Sequence, residues 1–477
     1  MNKSIEDTAC SLAWDYPVLN FADTGLRYCC RSSPNFLSDD DIDKGVEIFN
    51  NNDYIKAIRK DLLTGVKSPS CGACWVIESQ GGWGPRTRLK GLAKMLKSCN
   101  FWSGFSLEQV TDRLLNLSEN DIEELIKLEL PRMIEISLGN TCDLKCTYCN
   151  HHYSSQWAVE RFKYGEIDQN TFDKLSHKNT NNRYEDIWWN WFEKTASHHA
   201  NWINFIGGEP LIMEKFYTYV DRVIDIYEKP IYGCQPRVIS VISNFNTPEK
   251  FYQKFMSTTS RILDSKSITL DMNVSCESIG DRAAFIRYGT NWDIILGHID
   301  KLFNFVKDNN ISNTRPDTKP FMFGFQMALN TLCISDLPNF FKWVVELQKN
   351  WTSIPIGLRQ NQVAYPNWMN PNILPSEYAS YIDESIDILS SNLGLVDDTL
   401  RHDFGKWSMY IKFLQTIRNG IYNPVKDQSA QKLFAINIDT LCNRRNLDFA
   451  STFPEMLPFY NSYAKKPACS LDARMNW

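Results

Sequence analysis

The segment Asn140-Thr141-Cys142-Asp143-Leu144-Lys145-Cys146-Thr147-Tyr148-Cys149-Asn150 places three cysteines in a C-x3-C-x2-C loop, with an aromatic residue before the third. Thiolates are soft metal ligands, and a cubane iron–sulfur cluster is usually held by four of them. Three closely spaced cysteines therefore point to a cluster with one iron left open to a non-protein ligand. A structural zinc site asks for four closed ligands, which this spacing does not supply, although His151 or His152 could complete one in cramped geometry. Inert thiols are the remaining alternative.

A second group lies near the N-terminus: Cys10, the pair Cys29-Cys30, and Cys71 with Cys74. The cysteines total 14. Outside these groups stand Cys99, Cys234, Cys276, Cys333, Cys442 and Cys469, of which the last five sit in apolar or mixed surroundings and are expected to act as small buried hydrophobes.

The elements that must position the loop follow from periodicity. From about Arg132 onward, short β-rich apolar segments alternate with amphipathic ones. Strands are predicted at Met133–Gly139, Trp202–Ile206, Val238–Ser243, Ile268–Ser275, Phe321–Leu329 and Ile354–Arg359. Helices are predicted at Leu211–Tyr227, Pro248–Thr258, Trp292–Lys307 and Asp336–Lys349. This rhythm gives an α/β fold, a partial (βα)6 TIM-like barrel with chemistry at the carboxyl ends of its strands. Four regions are expected: a cysteine-rich module at 1–95, a helical connector at 96–130, the core at 131–370, and a mainly helical C-terminal region at 371–477 of unassigned role. In the early regions, helical signals fall at Tyr54–Leu63 and, behind a capping box at Ser118, at Asp121–Leu128.

Composition narrows the class. The 477 residues carry 51 basic and 56 acidic side chains, a net charge of −5, which supplies no basic footprint for nucleic acid or an anionic membrane. No apolar run of about 18 residues occurs and the N-terminus lacks a secretory apolar stretch. The expectation is a cytoplasmic protein with reduced thiols and no membrane partner.

The three-cysteine loop after the first strand of a βα unit resembles the radical SAM superfamily. The resemblance implies that Cys142, Cys146 and Cys149 hold a [4Fe–4S] cluster whose open iron is chelated by S-adenosylmethionine (SAM). Reduction then cleaves SAM to a 5′-deoxyadenosyl radical that abstracts a hydrogen atom. Tyr148 matches the aromatic position near the adenine. Gly207-Gly208-Glu209-Pro210 after the second strand is similar to the family's GGEP motif, with Glu209 expected at the methionine ammonium; taken alone, this would be an ordinary strand-to-helix turn. Further cofactor contacts are expected from Ser243 and Asn244 at the third strand end, Ser275 for the ribose, Arg287 for the carboxylate and Val363 by the adenine.

Cys10, Gly25, Cys30, Cys71 and Cys74 read as C-x14-G-x4-C followed by C-x2-C, which resembles the Twitch half of the SPASM/Twitch extension. The resemblance implies one auxiliary [4Fe–4S] cluster, here ahead of the core rather than after it, with Cys29 competing with Cys30 as second ligand and structural zinc as the alternative occupant. Trp75-Val76-Ile77-Glu78 follows where further SPASM cysteines would stand, so no second auxiliary cluster is expected.

The implied function is hydrogen abstraction from a peptide or protein substrate in a maturase-type modification, with a flavodoxin- or ferredoxin-like electron donor. Alternatives are a small-molecule radical SAM dehydrogenase and a non-catalytic iron–sulfur electron-transfer protein. A nucleic-acid-modifying enzyme is a further reading, weakened by the acidic balance. Elsewhere, Trp188-Trp189-Asn190-Trp191-Phe192 is expected in the core and His198-His199 in solvent. Arg444 and Arg445 are expected on a solvated helix face.

Overall fold

The computed structural model describes residues 5–50, 52–79, 89–129, 131–176, 182–229, 237–265, 267–309, 320–400 and 405–464. Cys234 and Cys469 lie outside them. The strands are β1 (Val18–Asn20), β2 (Gly25–Arg27), β3 (Asn35–Phe36), β4 (Met133–Ser137), β5 (Lys145–Cys146), β6 (Trp202–Ile206), β7 (Arg237–Ser243), β8 (Ile268–Ser275), β9 (Arg287–Tyr288), β10 (Phe321–Leu329) and β11 (Ile356–Gln362). Among the described residues these form a nine-stranded sheet of order β11-β10-β8-β7-β6-β4-β1-β2-β3 and a small β5-β9 ladder. The fold is α/β with a mostly parallel sheet.

Within the nine-stranded sheet, β4, β6, β7, β8, β10 and β11 lie side by side in chain order and pair in parallel throughout. Helices Glu214–Tyr227, Glu249–Asp264, Trp292–Asp308 and Leu337–Asn350 make the crossovers, and right-handed connections stepping in one direction put such helices on one face. Register explains why that face is apolar: Ile136, Phe205, Val241 and Met272 align across four strands and are fully buried. Their neighbours on the other face, Glu135, Asn204, Ser240 and Asp271, are polar and equally aligned.

The polar face is concave. Arg359 on β11 sets its guanidinium carbon 5.8 Å from the ring centroid of Trp202 on β6, four strands away in the sheet, where a flat sheet would separate them by about 19 Å. Arg359 also pairs with Asp271 at 2.6 Å.

Four strand ends differ from the sequence expectation; β7 starts one residue early at Arg237, β11 runs on to Gln362, and the other two have clear causes. The first strand stops at Ser137 because the chain leaves the ladder at Gly139, which has φ 155. The last begins at Ile356 rather than Ile354, since Pro355 has no N–H for a ladder and Gln348 Oε1 accepts the Ile356 N–H at 2.7 Å.

The larger difference lies at the N-terminus. β1 pairs in parallel with β4, and Tyr16 donates to Glu135 Oε2 at 2.8 Å. The segment expected as a separate module thus shares the sheet with the core. Three-residue strands are too short to leave a periodic signal, which is why this one was not predicted.

Trp188, Trp191 and Phe192 are buried as expected, with Phe21 edge-on to Trp188 at 5.8 Å, and His198 and His199 are exposed. The C-terminal region is helical, with Ala379–Ser390, Trp407–Tyr422 and Gln428–Arg445 as its long elements. Trp407 anchors it, donating its indole N–H to the Ile356 carbonyl at 2.9 Å. No helix among the described residues is long and apolar enough to cross a membrane.

Candidate metal centre

The three-cysteine loop leaves the end of β4 and is held there by the turn after β6. Gly208 N–H donates to the Gly139 carbonyl and Glu209 N–H to the Thr141 carbonyl, each at 2.8 Å. Only glycine permits this approach: a Cβ on Gly208 would stand 2.3 Å from Thr141 O, and one on Gly207, whose φ is +144, 2.8 Å from Gly139 O. The motif's glycines serve to press two strand ends together. Pro210 opens the short 3-10 turn that follows.

Glu209 is fully buried and works inside the same junction. Its Oε1 accepts from Leu211 N–H at 2.9 Å and Ser243 Oγ at 2.7 Å, and its Oε2 from Asn244 N–H at 2.6 Å. Asn244 Nδ2 donates in turn to Asp143 in the cysteine loop at 2.7 Å. Burial, and then the Asp143 charge, push the Glu209 carboxyl up to about 7. Glu209, Ser243 and Asn244, expected as ligand contacts, thereby form one connected network that ties β6, β7 and the loop. Oε1 thus has both its lone pairs engaged, while Oε2 retains capacity for a further donor.

Within the loop, Cys142 and Cys146 are buried and Cys149 is half-buried, and they pack with Leu144 and Tyr148 as a small cluster of their own. The sulfurs are close enough to repel as thiolates. Burial and then Cys146 push the Cys149 thiol up to about 12, while Cys146 rises to about 11, burial outweighing the opposing Arg287 charge. Among the described residues no three His, Cys, Asp or Glu side chains converge as a single bare ion requires. A cubane spreads its protein ligands over separate irons, and three soft thiols on one loop suit that demand better than a tetrahedral zinc site.

Sequence reasoning missed Glu277, which organises the far side of the loop. Tyr148 donates to its Oε1 at 3.0 Å, and Arg287 engages both its oxygens through Nε and Nη2. Arg287 Nη1 points to Cys146 Sγ at 3.8 Å. The fork expected for a ligand carboxylate is thus taken by Glu277, because β9 pairs with β5 and sets Arg287 opposite Cys146. Glu277 lies two residues beyond the end of β8, where strand-end chemistry was expected, so its position was the available signal. Ser275 is half-buried at that strand end, and Val363 is buried just past β11, its N–H donating to Leu329 O at 2.9 Å.

The N-terminal cysteines also meet. Cys10, Cys29, Cys71 and Cys74 are buried and line one small cavity with Leu12, Tyr28, Arg31 and Ser32. Burial, then the Cys10 sulfur, push the Cys29 thiol up to about 12, with Cys74 and Cys71 adding to the rise. Tyr28 Oη and Cys71 Sγ are hydrogen-bonded at 2.6 Å. Cys30, expected in this set, is exposed and outside the cavity lining. In the bend beyond β2 the first of the adjacent pair turns inward and the second outward. Four thiols around one cavity suit a closed cluster, which spreads its ligands over separate irons, better than a single zinc ion, for which no three of them converge.

Of the isolated cysteines expected as buried hydrophobes, Cys276 and Cys333 are buried and donate to local carbonyls, whereas Cys442 is only half-buried. Comparison with protein-family models and with curated proteins gives no match for this chain.

Proposed function

We propose that the chain is a radical SAM enzyme built on a partial (βα)6 TIM-like barrel, with an N-terminal auxiliary iron–sulfur site. The observation that carries this reading is the junction of two motifs. The C-x3-C-x2-C loop after β4 is drawn against Gly207-Gly208-Glu209-Pro210 after β6, which gives the glycines a definite task at the cysteine loop.

In this reading Cys142, Cys146 and Cys149 hold a [4Fe–4S] cluster, and Cys10, Cys29, Cys71 and Cys74 an auxiliary one. The first cluster, loaded with SAM and reduced by a flavodoxin- or ferredoxin-like donor, supplies a 5′-deoxyadenosyl radical that removes a hydrogen atom from substrate. The chain's own residues do the positioning: the glycine turn fixes the loop, Glu209 locks the strand ends, and Glu277 holds Tyr148 and Arg287. The substrate class that fits best with an auxiliary cluster is a peptide or protein, modified in a reduced, cytoplasmic setting.

Anaerobic reconstitution, iron and sulfide analysis, and assay of 5′-deoxyadenosine under reduction test the reading. About eight irons per chain with product are expected for two four-iron sites. Iron without product would leave an electron-transfer protein, and zinc without iron would remove the reading altogether.

A further inference from the structure

We propose that Arg445 is a positioning residue that reaches the three-cysteine loop from the C-terminal helix and sets the electrostatic potential at Cys146. The inference rests on the reading that this loop holds a cluster.

Arg444 and Arg445, expected on a solvated helix face, are drawn into the molecule instead. Helix Gln428–Arg445 stops at Asn446, which takes the left-handed conformation at φ 52 that Asn tolerates at a helix end. The Arg445 side chain is only 1% exposed and pairs with the 5% exposed Glu160 at 3.1 Å. Its Nη1 donates to the carbonyl of Lys145 at 2.9 Å. The next carbonyl, that of Cys146, accepts the Trp157 indole N–H at 2.9 Å, and the Arg445 guanidinium lies 4.5 Å from the Trp157 ring. Two consecutive carbonyls at the middle cysteine are therefore held by one packed pair.

The charge around this clamp is unbalanced. Lys145 and Arg445 share Glu160, while Arg161 and Arg444 share Glu166. Four cations meet two carboxylates, and with the Asp143 carboxylate of the loop, which also acts on Cys146, one positive charge remains in excess. The Arg287–Glu277 pair beyond Cys146 is neutral as a pair. Every side chain in the ion pairs of Glu160 and Glu166 is at most 21% exposed, so salt screens them weakly. Loading a thiolate-ligated cluster adds negative charge, and reduction adds one more, so buried cations beside Cys146 favour the reduced state. A clamp needed only for packing would be served as well by apolar side chains of similar volume, without the cost of burying charge.

The test is a redox titration of the reconstituted full chain, following the electron-paramagnetic signal that SAM addition perturbs, in wild type, Arg445→Gln and Arg445→Lys. Iron content and thermal unfolding are measured alongside. For Arg445→Gln the reduced-to-oxidised ratio at fixed potential is expected to fall about tenfold, which is 59 mV for a one-electron couple. Arg445→Lys, which keeps the charge, is expected within about twofold of wild type. Wild-type iron content and an unchanged potential in Arg445→Gln would overturn the inference, as would a shift in Arg445→Lys equal to that in Arg445→Gln. Should Arg445→Gln fail to load iron, Lys145→Gln removes one charge from the same group while leaving the buried fork. A fall of about threefold is then expected, and none would overturn the proposal. A wild-type chain that binds no iron would overturn the site reading, and this inference with it; unchanged variants overturn this inference alone.

Discussion

The hydroxyl of Tyr148 donates to Oε1 of Glu277 across 3.0 Å, joining the cysteine loop to the segment beyond β8. The same carboxylate holds the Arg287 fork, so one buried acid serves the residue ahead of the third cysteine and the cation beside the second. Replacing Glu277 with Gln leaves Arg287 buried without its counter-charge, a loss of about 3–5 kcal/mol by the usual behaviour of broken buried pairs. Urea unfolding of Glu277→Gln should show it, and a change under about 1 kcal/mol would mean that the pair is not closed in solution.

Gly208 offers a sharper steric test. A methyl group there meets the Thr141 backbone, which cannot swing aside as a flexible side chain would. Gly208→Ala is expected to cost about 1–3 kcal/mol through overpacking and to abolish 5′-deoxyadenosine formation. Full activity in this variant would separate the glycine turn from the cysteine loop.

The adjacent cysteines after β2 are expected to differ in kind. Cys29→Ala and Cys71→Ala should each lose about four irons of the reconstituted chain, the content of one cluster, while Cys30→Ala keeps them. Alanine at Cys142, Cys146 or Cys149 should abolish SAM cleavage, which Cys71→Ala spares. Iron analysis of Cys30→Ala decides the second ligand, and a loss there equal to that of Cys29→Ala would restore the C-x14-G-x4-C spacing.

Glu129 predicts a pH effect on stability, from a cavity that shares Tyr28 with that of the N-terminal cysteines. It borders a cavity with Trp14, Tyr28, Arg59 and Trp191, and burial pushes its carboxyl up to about 7, against the opposing pull of Arg59. Between the ordinary value near 4.5 and 7 the folded chain holds a proton that the unfolded chain has lost. This group therefore makes stability fall as pH rises through that window and level off above it. Unfolding free energies of wild type and Glu129→Gln at several pH values check this: the variant should show a shallower decline, and parallel curves would refute it.

The parallel sheet was legible because its strands are long apolar runs bounded by turn residues, and Trp202–Ile206, Ile268–Ser275 and Phe321–Leu329 begin and end where periodicity places them. The cysteine loop and the GGEP turn were legible as motifs, since their residue types and spacing survive without a fold. What stayed hidden depends on partners distant in sequence. Glu277 acquires its task only when β9 turns Arg287 toward Cys146, and Arg445 differs from a solvated helix-end arginine only through Glu160 and the Lys145 carbonyl. The choice between Cys29 and Cys30 is set by which way one residue faces after β2, and composition is blind to that.

The bond from Arg445 to the Lys145 carbonyl spans 300 residues. A ribosome adding about 5–20 residues per second needs about 15–60 s to cover that stretch. For that interval the nascent chain carries its three-cysteine loop without the residue that pins it, and the thiols stand open to oxidants and to whichever metal arrives first. On the cluster reading proposed above, loading would therefore depend on timing during synthesis as well as on the finished fold.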